Sequence, residues 1–309
     1  MEDADQSRTA LLLLNPNARR GAEPIDDAIA LLRDSGIRLI EPETEDRKDI
    51  SAAIRAHADE VDMVIVGGGD GSLNAATAGL VETGLPLGIL PLGTANDLAR
   101  TLEIPFTVVD AAQIIIDGET RALDLGIVND YYFFNVASIG FSAKLARVLT
   151  SDDKRRFGKL GYALSAMKLV TQSRPFTAEI EHDGHVDTVR TLQISVGSGR
   201  YYGGGLAVDE EAEPDDGRLD VYSLEIEHWS ELLALLPALK TGTQKRWKNV
   251  RTFGTTELTV RTKRPLDINA DGEILTTTPA HFSLRRQAVT AFVPKETDGE
   301  GLFSLGGRT

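Results

Sequence analysis

Gly67-Gly68-Gly69-Asp70-Gly71-Ser72 is the stretch whose residue types are best suited to chemistry. It follows Met63-Val64-Ile65-Val66, an apolar run that reads as a buried strand, and it precedes an Ala-rich segment that reads as a helix with Ser72 as its N-cap. Strand, glycine loop and helix start together present backbone N–H groups to an anion. Glycines let the chain bend there and let a phosphate approach closely. No Lys-Ser/Thr follows the glycines, so this is not a Walker A loop, and the G-x-G-x-x-G spacing fails as well. A plain glycine turn between strand and helix is the competing reading. Asp70 counts against it, because a carboxylate among phosphate-binding amides repels phosphate unless it holds a metal, a water or a hydroxyl.

The elements that must position this loop alternate. Ala10–Leu14 reads as a buried strand ending in Asn15-Pro16-Asn17-Ala18-Arg19-Arg20-Gly21. A helix follows, with Pro24 at its first position, Asp26 and Asp27 in its first turn and Gly36 after its end. Ile25, Ala28, Ile29 and Leu32 keep its apolar spacing. Ile37–Ile40 is expected as a strand and Asp49–Asp59 as a helix, with His57 a structural residue on its inner face. Leu87–Leu90 is a further strand, ending in Pro91-Leu92-Gly93-Thr94-Ala95-Asn96-Asp97, where Thr94 and Asp97 have capping-box spacing. Thr107–Asp117 is another helix, stopped by Gly118. This alternation predicts a doubly wound, largely parallel α/β layer whose ligands gather at the carboxyl ends of the strands. Three loops rich in Gly, Asn, Asp and Thr fall at such ends: 15–21, 67–71 and 91–97.

Near residue 121 the pattern changes to alternation. Leu123, Leu125 and Ile127 alternate, Asn129-Asp130 turns, and Tyr132 to Val136 runs back. Phe141–Thr150 and Leu160–Val170 read as helices, and Phe176–Ile180 and Val186–Val196 flank the hairpin turn Asp183-Gly184. Short strands are expected at Arg218–Ile226, Glu257–Arg261, Leu266–Ala270, Phe282–Arg285 and Val289–Val293, with a helix near Ser230–Leu239. The expected fold is α/β plus β-rich: an N-terminal nucleotide-binding α/β domain over 1–126, rejoined by about 288–309, and a mainly antiparallel β domain over 127–287.

Composition narrows the function. The 309 residues carry no cysteine, so thiolate metal sites are excluded, and the five histidines form no zinc-like cluster. A net charge of −14 argues against nucleic-acid binding. Leu11–Leu14 is too short for a membrane span or a signal core, so the expectation is a cytoplasmic protein whose membrane contact is peripheral.

Four stretches carry the chemistry together: Gly68-Gly69-Asp70-Gly71-Ser72-Leu73-Asn74; Pro91 to Asp97; Gly203-Gly204-Gly205 followed by Asp215-Asp216-Gly217-Arg218-Leu219-Asp220; and Asn269-Ala270-Asp271-Gly272-Glu273. In this order they resemble the diacylglycerol kinase catalytic family, above all its soluble bacterial lipid kinases, which share a catalytic domain type with sphingosine kinases. The resemblance runs from about Leu11 to Val293. It implies an NAD kinase/diacylglycerol kinase-like fold with the active site between two domains. The implied reaction is transfer of the γ-phosphoryl group of ATP, with Mg2+, to a lipid hydroxyl. The implied nucleotide contacts are Asn15, Pro16, Asn17, Ala18, Arg19, Thr44, Gly68, Gly69, Asp70, Gly71, Ser72, Leu73, Asn74 and Thr94. The Asp216 carboxylate and the backbone carbonyls of Glu213 and Arg218 correspond to the ligands of a structural magnesium. Glu273 corresponds to the proton acceptor, with Asp271 beside it, and Asp97 and Asp124 to a supporting acidic network.

The residues support these roles on their own terms, since phosphoryl transfer is mainly positioning and charge neutralisation, magnesium takes oxygen ligands, and a lipid alcohol needs a carboxylate to take its proton. Taken singly, Asp271-Gly272 is more often a hairpin turn and Asp215-Asp216-Gly217 more often a solvated turn, and Asp124 reads also as a satisfied polar group. The chain departs from the family pattern at Ser72 for Thr, at Ser198 for Asn, and at Leu206-Ala207-Val208-Asp209, which lacks the usual Pro. Lys144, Arg147, Lys154, Arg155, Arg156, Lys159 and Lys168, with Phe157 and Leu160, form a basic stretch suited to anionic headgroups or simply to solvent; Lys245-Arg246-Trp247-Lys248 is its rival. The acceptor stays open among diacylglycerol, sphingoid base, phosphatidylglycerol and undecaprenol-like alcohols, and a homodimer is open too. An NAD kinase-like enzyme and a silent nucleotide- or lipid-binding regulator on the same scaffold are the alternatives.

Overall fold

The computed structural model describes residues 8–15, 25–42, 49–143, 174–227 and 229–295. Strands β1 (Thr9–Leu14), β2 (Arg38–Ile40), β3 (Met63–Gly68) and β4 (Leu87–Pro91) lie parallel in the order β2-β1-β3-β4. β3 and β4 are buried along their whole length, as strands covered on both faces must be. The connecting helices are α1 (Ile25–Asp34), α2 (Ile50–Ala56), α3 (Asp70–Thr83), α4 (Asp97–Thr101) and α5 (Val108–Asp117). α1 places Asp26 and Asp27 in its first turn and Arg33 in its last, matching the helix dipole, and buries Ala28, Ile29 and Leu32. α3 and α5 end on Gly84 and Gly118 in the left-handed conformation. α2 stops at Ala56, short of the expected Asp59; His57 caps its end half-buried, with Nδ1 2.9 Å from the Ala53 carbonyl oxygen.

The first sheet continues into the β-rich half. β18 (Ala280–Phe292) pairs parallel with β4 through Ala291 and Leu87, and antiparallel with β5 (Thr120–Val128). β6 (Tyr131–Phe133) adds to β5, while β15 (Glu257–Thr262), β8 (Phe176–His182) and β9 (His185–Thr191) extend from β18. A second, antiparallel sheet runs in the order β14 (Val250–Thr255), β13 (Leu219–Leu224), β10 (Gln193–Gly197), β7 (Val136–Gly140), β16 (Asp267–Ala270), β17 (Glu273–Thr277). Between the sheets lie Phe133, Ile139, Ile180, Ile194, Val221 and Phe282. The outer face of the second sheet packs Val136, Tyr222 and Leu224 against Leu232, Leu235 and Leu239 of α6 (Trp229–Thr241) and against Tyr202. β11 (Tyr201–Tyr202) and β12 (Leu206–Ala207) form a small hairpin around Gly203–Gly205. No described helix is long and apolar enough to cross a membrane.

Several strand expectations are corrected. The expected strand Val186–Val196 is two strands in two sheets. The chain crosses at Leu192, where the Thr191 hydroxyl, 2.8 Å from the Gln193 carbonyl and 2.9 Å from that of Leu224, satisfies the bend. The expected run Tyr132–Val136 breaks the same way at Phe134-Asn135, between β6 and β7. Conversely, Phe282–Arg285 and Val289–Val293 are parts of the single strand β18, which bulges against β5 between Arg285 and Val289. β14 and β17 arise where no strand was expected. The expected helix Leu160–Val170, the part of Phe141–Thr150 beyond residue 143, and the tail from residue 296 lie outside the described residues.

Candidate active site

The strand order reverses between β1 and β3, the point where an open α/β sheet leaves a crevice. The Asn15 N–H donates to the Gly67 carbonyl at 2.9 Å, and the Leu92 N–H donates to that of Gly68 at 2.9 Å, so the ends of β1, β3 and β4 are laced together. Gly69 is the N-cap of α3, with φ −102° and ψ −172°. This corrects the expected N-cap at Ser72. β3 stays extended through Gly68, and the helix begins at Asp70, which leaves Ser72 buried in the first turn with Oγ 3.4 Å from Asn15 Nδ2. The amides of that turn form the anion-facing end of a fourteen-residue helix.

The glycines of the two central loops allow backbone to lie on backbone. A Cβ on Gly69 would come within 2.9 Å of the Gly93 Cα, and one on Gly93 would come closer still to the Gly69 Cα. The expected Thr94–Asp97 capping box does not form. Asn96 is the N-cap of α4 in a left-handed conformation (φ 50°), and its side chain folds back, accepting the Gly93 N–H at 2.9 Å and donating to the Gly93 carbonyl at 3.1 Å. Thr94 is exposed at the tip of this loop. Asp70 Oδ1 then accepts the Leu98 N–H at 3.2 Å, tying the start of α3 to α4.

Three more carboxylates tie distant segments to this centre. Both Asp97 oxygens accept the Gly204 N–H, at 3.1 and 3.0 Å, joining α4 to the β11–β12 turn. Asp271 and Gly272, with φ of 48° and 91°, form the two-residue turn between β16 and β17. The hairpin reading of that pair holds, and the carboxylate has a further task. It accepts the N–H groups of Phe134 (2.7 Å), Asn135 (2.9 Å) and Val136 (3.2 Å) where the chain changes sheets, and Asn74 Nδ2 lies 3.3 Å away. Buried Asp124 accepts the Gln287 N–H at the β18 bulge (2.7 Å) and the Gly217 N–H (2.9 Å). Ser198, the departure from Asn, keeps a polar contact there, donating to the Asp124 carbonyl at 3.3 Å.

Removal from water pushes the Asp97 and Asp271 carboxyls up to about 6, against the amides that stabilise their charged forms; the nearby Asp70 charge adds to the rise in both. Asp70 is raised for the same first reason. Glu273 is half-buried at the start of β17, opposite Ala270. Leu73 is in the core rather than at the loop, and Asn74 points away from the loop to Asp271 and to the Tyr132 carbonyl.

Asp216 sits in the loop before β13. Its Oδ1 accepts the Arg218 N–H at 3.1 Å, and the Arg218 guanidinium lies 3.2 Å from Oδ2 and 3.0 Å from Asp220. Desolvation raises Asp216, opposed by that amide and guanidinium. The Glu213 carboxylate is clamped by Arg200 at 2.6 Å and Arg121 at 3.1 Å, and Arg121 also grips Asp215. These two arginines had no local signal in the sequence, since they lie on other segments. Among the described residues, no three Asp, Glu or His side chains gather as a metal set. What Asp216 and the carbonyls of Glu213 and Arg218 offer is oxygen only, the donor type magnesium prefers.

Pro16, Asn17, Ala18, Arg19 and Thr44 lie outside the described residues, as does the basic stretch from Lys144 to Lys168. In the rival cluster, Lys245 is paired with Asp209, Glu210 and Glu211, and Arg246 with Glu210, so most of its charge is neutralised locally.

Comparisons with known proteins agree in both halves. Residues 9–128 match the family model described as diacylglycerol kinase catalytic domain, and residues 135–293 match that of the YegS C-terminal NAD kinase beta sandwich-like domain. A protein named probable lipid kinase YegS-like from Yersinia enterocolitica is 34% identical over 273 residues, covering 86% of this chain and 90% of its own. A protein named diacylglycerol kinase from Mycobacterium tuberculosis is 32% identical over 300 residues, covering 92% and 94%. A crystal structure of a diacylglycerol kinase from Bacillus anthracis superposes with a TM-score of 0.75 at 25% identity, covering 93% of this chain and 97% of that one.

Proposed function

Because the chain belongs to the diacylglycerol kinase catalytic family and is a lipid kinase, we propose that it transfers the γ-phosphoryl group of ATP, with magnesium, to the hydroxyl of diacylglycerol or a related lipid alcohol. The observation that carries this is the 3.3 Å contact between Asn74 and Asp271. It joins the helix that opens on the glycine loop to the hairpin that bears Glu273, so a phosphate on the loop and a proton acceptor belong to one assembly.

In this reading Gly68, Gly69 and the first-turn amides of α3 hold the phosphate oxygens, with Asn15 and Thr94 on either side. Glu273 takes the proton of the lipid hydroxyl as the hydroxyl oxygen bonds to the γ-phosphorus, and the bond from that phosphorus to the β–γ bridging oxygen breaks, releasing ADP. Asp271 is committed to backbone N–H groups and orients the hairpin, and Glu273, half-buried at the start of β17, is the acceptor in this reading. Asp216, with the carbonyls of Glu213 and Arg218, fits magnesium by donor type, and Asp97 and Asp124 brace the surrounding loops. When bound, magnesium supplies the positive charge that offsets the phosphates and the crowded carboxylates. The protein is expected to work at the inner face of the membrane without spanning it.

The test is γ-phosphate transfer from labelled ATP to a panel of lipid alcohols in mixed micelles, with NAD as a control acceptor. Labelled lipid supports the reading. Labelled NADP in its place overturns it, as does ATP binding without any transfer.

A further inference from the structure

Arg100 is a cation that the fold holds in place without an anion. Arg55, Arg121, Arg200, Arg218, Arg251 and Arg261 each lie 3.0 Å or closer to a carboxylate. Arg100, half-buried on α4, has no carboxylate and no hydrogen-bond acceptor among the described residues, and its Nε is buried without a partner. Its two terminal nitrogens are not buried and reach solvent. In a chain of net charge −14 carboxylates are plentiful, so the missing anion belongs to the position. Three groups fix the guanidinium there. Its Cζ lies 4.9 Å from the centroid of the Phe106 ring and 6.0 Å from that of Tyr201. A Cβ on Gly205, whose φ is 110°, would come 3.5 Å from Nε, so the β11–β12 turn lies against the same edge. Asp97 is near enough for the Arg100 charge to oppose the rise of its carboxyl, but its two oxygens take the Gly204 N–H instead.

A planar fork held by its inner edge, with its outer nitrogens open, is suited to binding a phosphate through two parallel hydrogen bonds. The surroundings say what the phosphate is attached to. Phe106, under the guanidinium, is 46% exposed, and Val109, three residues on in α5, is 37% exposed. A Cβ on Gly204 would meet nothing within 4 Å, so the approach over the turn is open. Exposed apolar groups beside an open cation suit an anion that carries an acyl chain. We propose that Arg100, with Phe106 and the Gly203–Gly205 turn, is a binding site for a phosphate group carried by a lipid, either the phosphomonoester of the product or the phosphodiester of a neighbouring phospholipid. This rests on the lipid-kinase reading above, in which the phosphates of ATP occupy the glycine loop.

The experiment measures binding without turnover, by calorimetry on the full chain in the absence of ATP. The probes are water-soluble dihexanoyl lipids: phosphatidic acid for the monoester and phosphatidylglycerol for the diester, with dihexanoylglycerol and inorganic phosphate as controls. Arg100→Gln is expected to weaken binding of one or both phosphate-bearing lipids by roughly 10- to 100-fold, the size of a hydrogen bond to a charged group. Binding of dihexanoylglycerol, and of ATP in a separate titration, is expected to stay unchanged. Arg100→Lys is expected to recover only part of the loss, since an ammonium keeps the charge but not the planar fork. A loss confined to phosphatidic acid identifies the product, and one confined to phosphatidylglycerol identifies a neighbouring phospholipid. Equal binding of both lipids by wild type and a folded Arg100→Gln overturns the inference, as does a loss of ATP binding in its place. Inorganic phosphate held at Arg100 as tightly as the lipids overturns the lipid assignment. Where Arg100→Gln fails to fold, Phe106→Ala decides: it removes an exposed ring and is expected to weaken the same binding several-fold, and unchanged binding overturns the site. A wild type that binds neither phosphate-bearing lipid overturns the inference and leaves the lipid-kinase reading to the transfer assay.

Discussion

Asp97 accepts the Gly204 N–H with both carboxylate oxygens, at 3.1 and 3.0 Å, across 107 residues of sequence. The contact fastens the loop after β4 to the β11–β12 turn, and it keeps a carboxylate buried beside the like-charged Asp70. Such a site trades stability for a fixed electrostatic environment.

That trade has a pH signature. The Asp97 carboxyl is raised from its ordinary value of 3.8 to about 6 in the folded protein, chiefly by burial. The folded state therefore holds this proton more tightly than the unfolded state between those values, and Asp97 lowers stability as pH rises from about 4 to about 6. Above pH 6 its penalty is constant, on the order of 3 kcal/mol. Asn at this position can still accept the Gly204 N–H without a charge. Asp97→Asn is expected to be more stable than wild type at pH 7.5, and the difference is expected to shrink below pH 5. Urea denaturation of both proteins across pH 4–8 reads this directly; a difference that is flat with pH contradicts it.

Asp271 and Glu273 are expected to separate by phenotype. Asp271→Ala strips the acceptor from three backbone N–H groups at the sheet crossing and is expected to cost about 3 kcal/mol or more of stability. Glu273→Gln is expected to leave stability within about 1 kcal/mol of wild type and to lower kcat by about 100-fold or more, with ATP binding retained. Thermal melts alongside single-turnover transfer make the comparison. Wild-type turnover by Glu273→Gln would move the proton acceptor elsewhere.

The Gly69–Gly93 approach predicts a steric effect. Gly93→Ala places a methyl against the Gly69 backbone, where no flexible side chain can yield. We expect a loss of about 1–3 kcal/mol and a raised KM for ATP, because the loop that yields is the phosphate loop. Gly84→Ala has open space for its methyl but a left-handed φ of 71°, so it is expected to cost stability alone and to leave the KM for ATP unchanged. Denaturation midpoints and ATP titrations of the two variants test this contrast.

Asp124 spans the β18 bulge and the Gly217 amide beside Asp216. Asp124→Ala is expected to destabilise by about 2–4 kcal/mol and to raise the magnesium concentration needed for half-maximal activity. Asp216→Asn is expected to raise that magnesium requirement with little loss of stability, since its carboxylate meets only local groups. Magnesium titrations of activity and of melting temperature distinguish the two. An unchanged magnesium requirement in Asp216→Asn removes the metal role from that loop.

Much of this was legible because it is local. The apolar runs of β1, β3 and β4, the glycines after β3 and the stop at Gly118 each follow from a residue's own conformational needs, and the order of the four motifs pointed to the family. Local rules failed where packing outweighed them. Ser72 has the chemistry of an N-cap, but the helix starts at Asp70 with Gly69 as its N-cap, packed on Gly93, and Ser72 is buried in the first turn. Thr94 and Asp97 have capping-box spacing, but Asn96 folds back on Gly93 and Asp97 is drawn to Gly204.

Other features were decided by tertiary structure alone. Alternation along Val186–Val196 is the same whether the strand stays in one sheet or crosses to another, so nothing in its periodicity marks Leu192 as the crossing. The backbone partners of Asp271 lie 135–137 residues away, and the arginines that clamp Glu213 come from two other segments. Residue type and near-neighbour spacing specify which groups a site contains. Which of them meet and which amides a buried carboxylate takes depend on long-range burial, and that exists only once the two sheets have closed on each other.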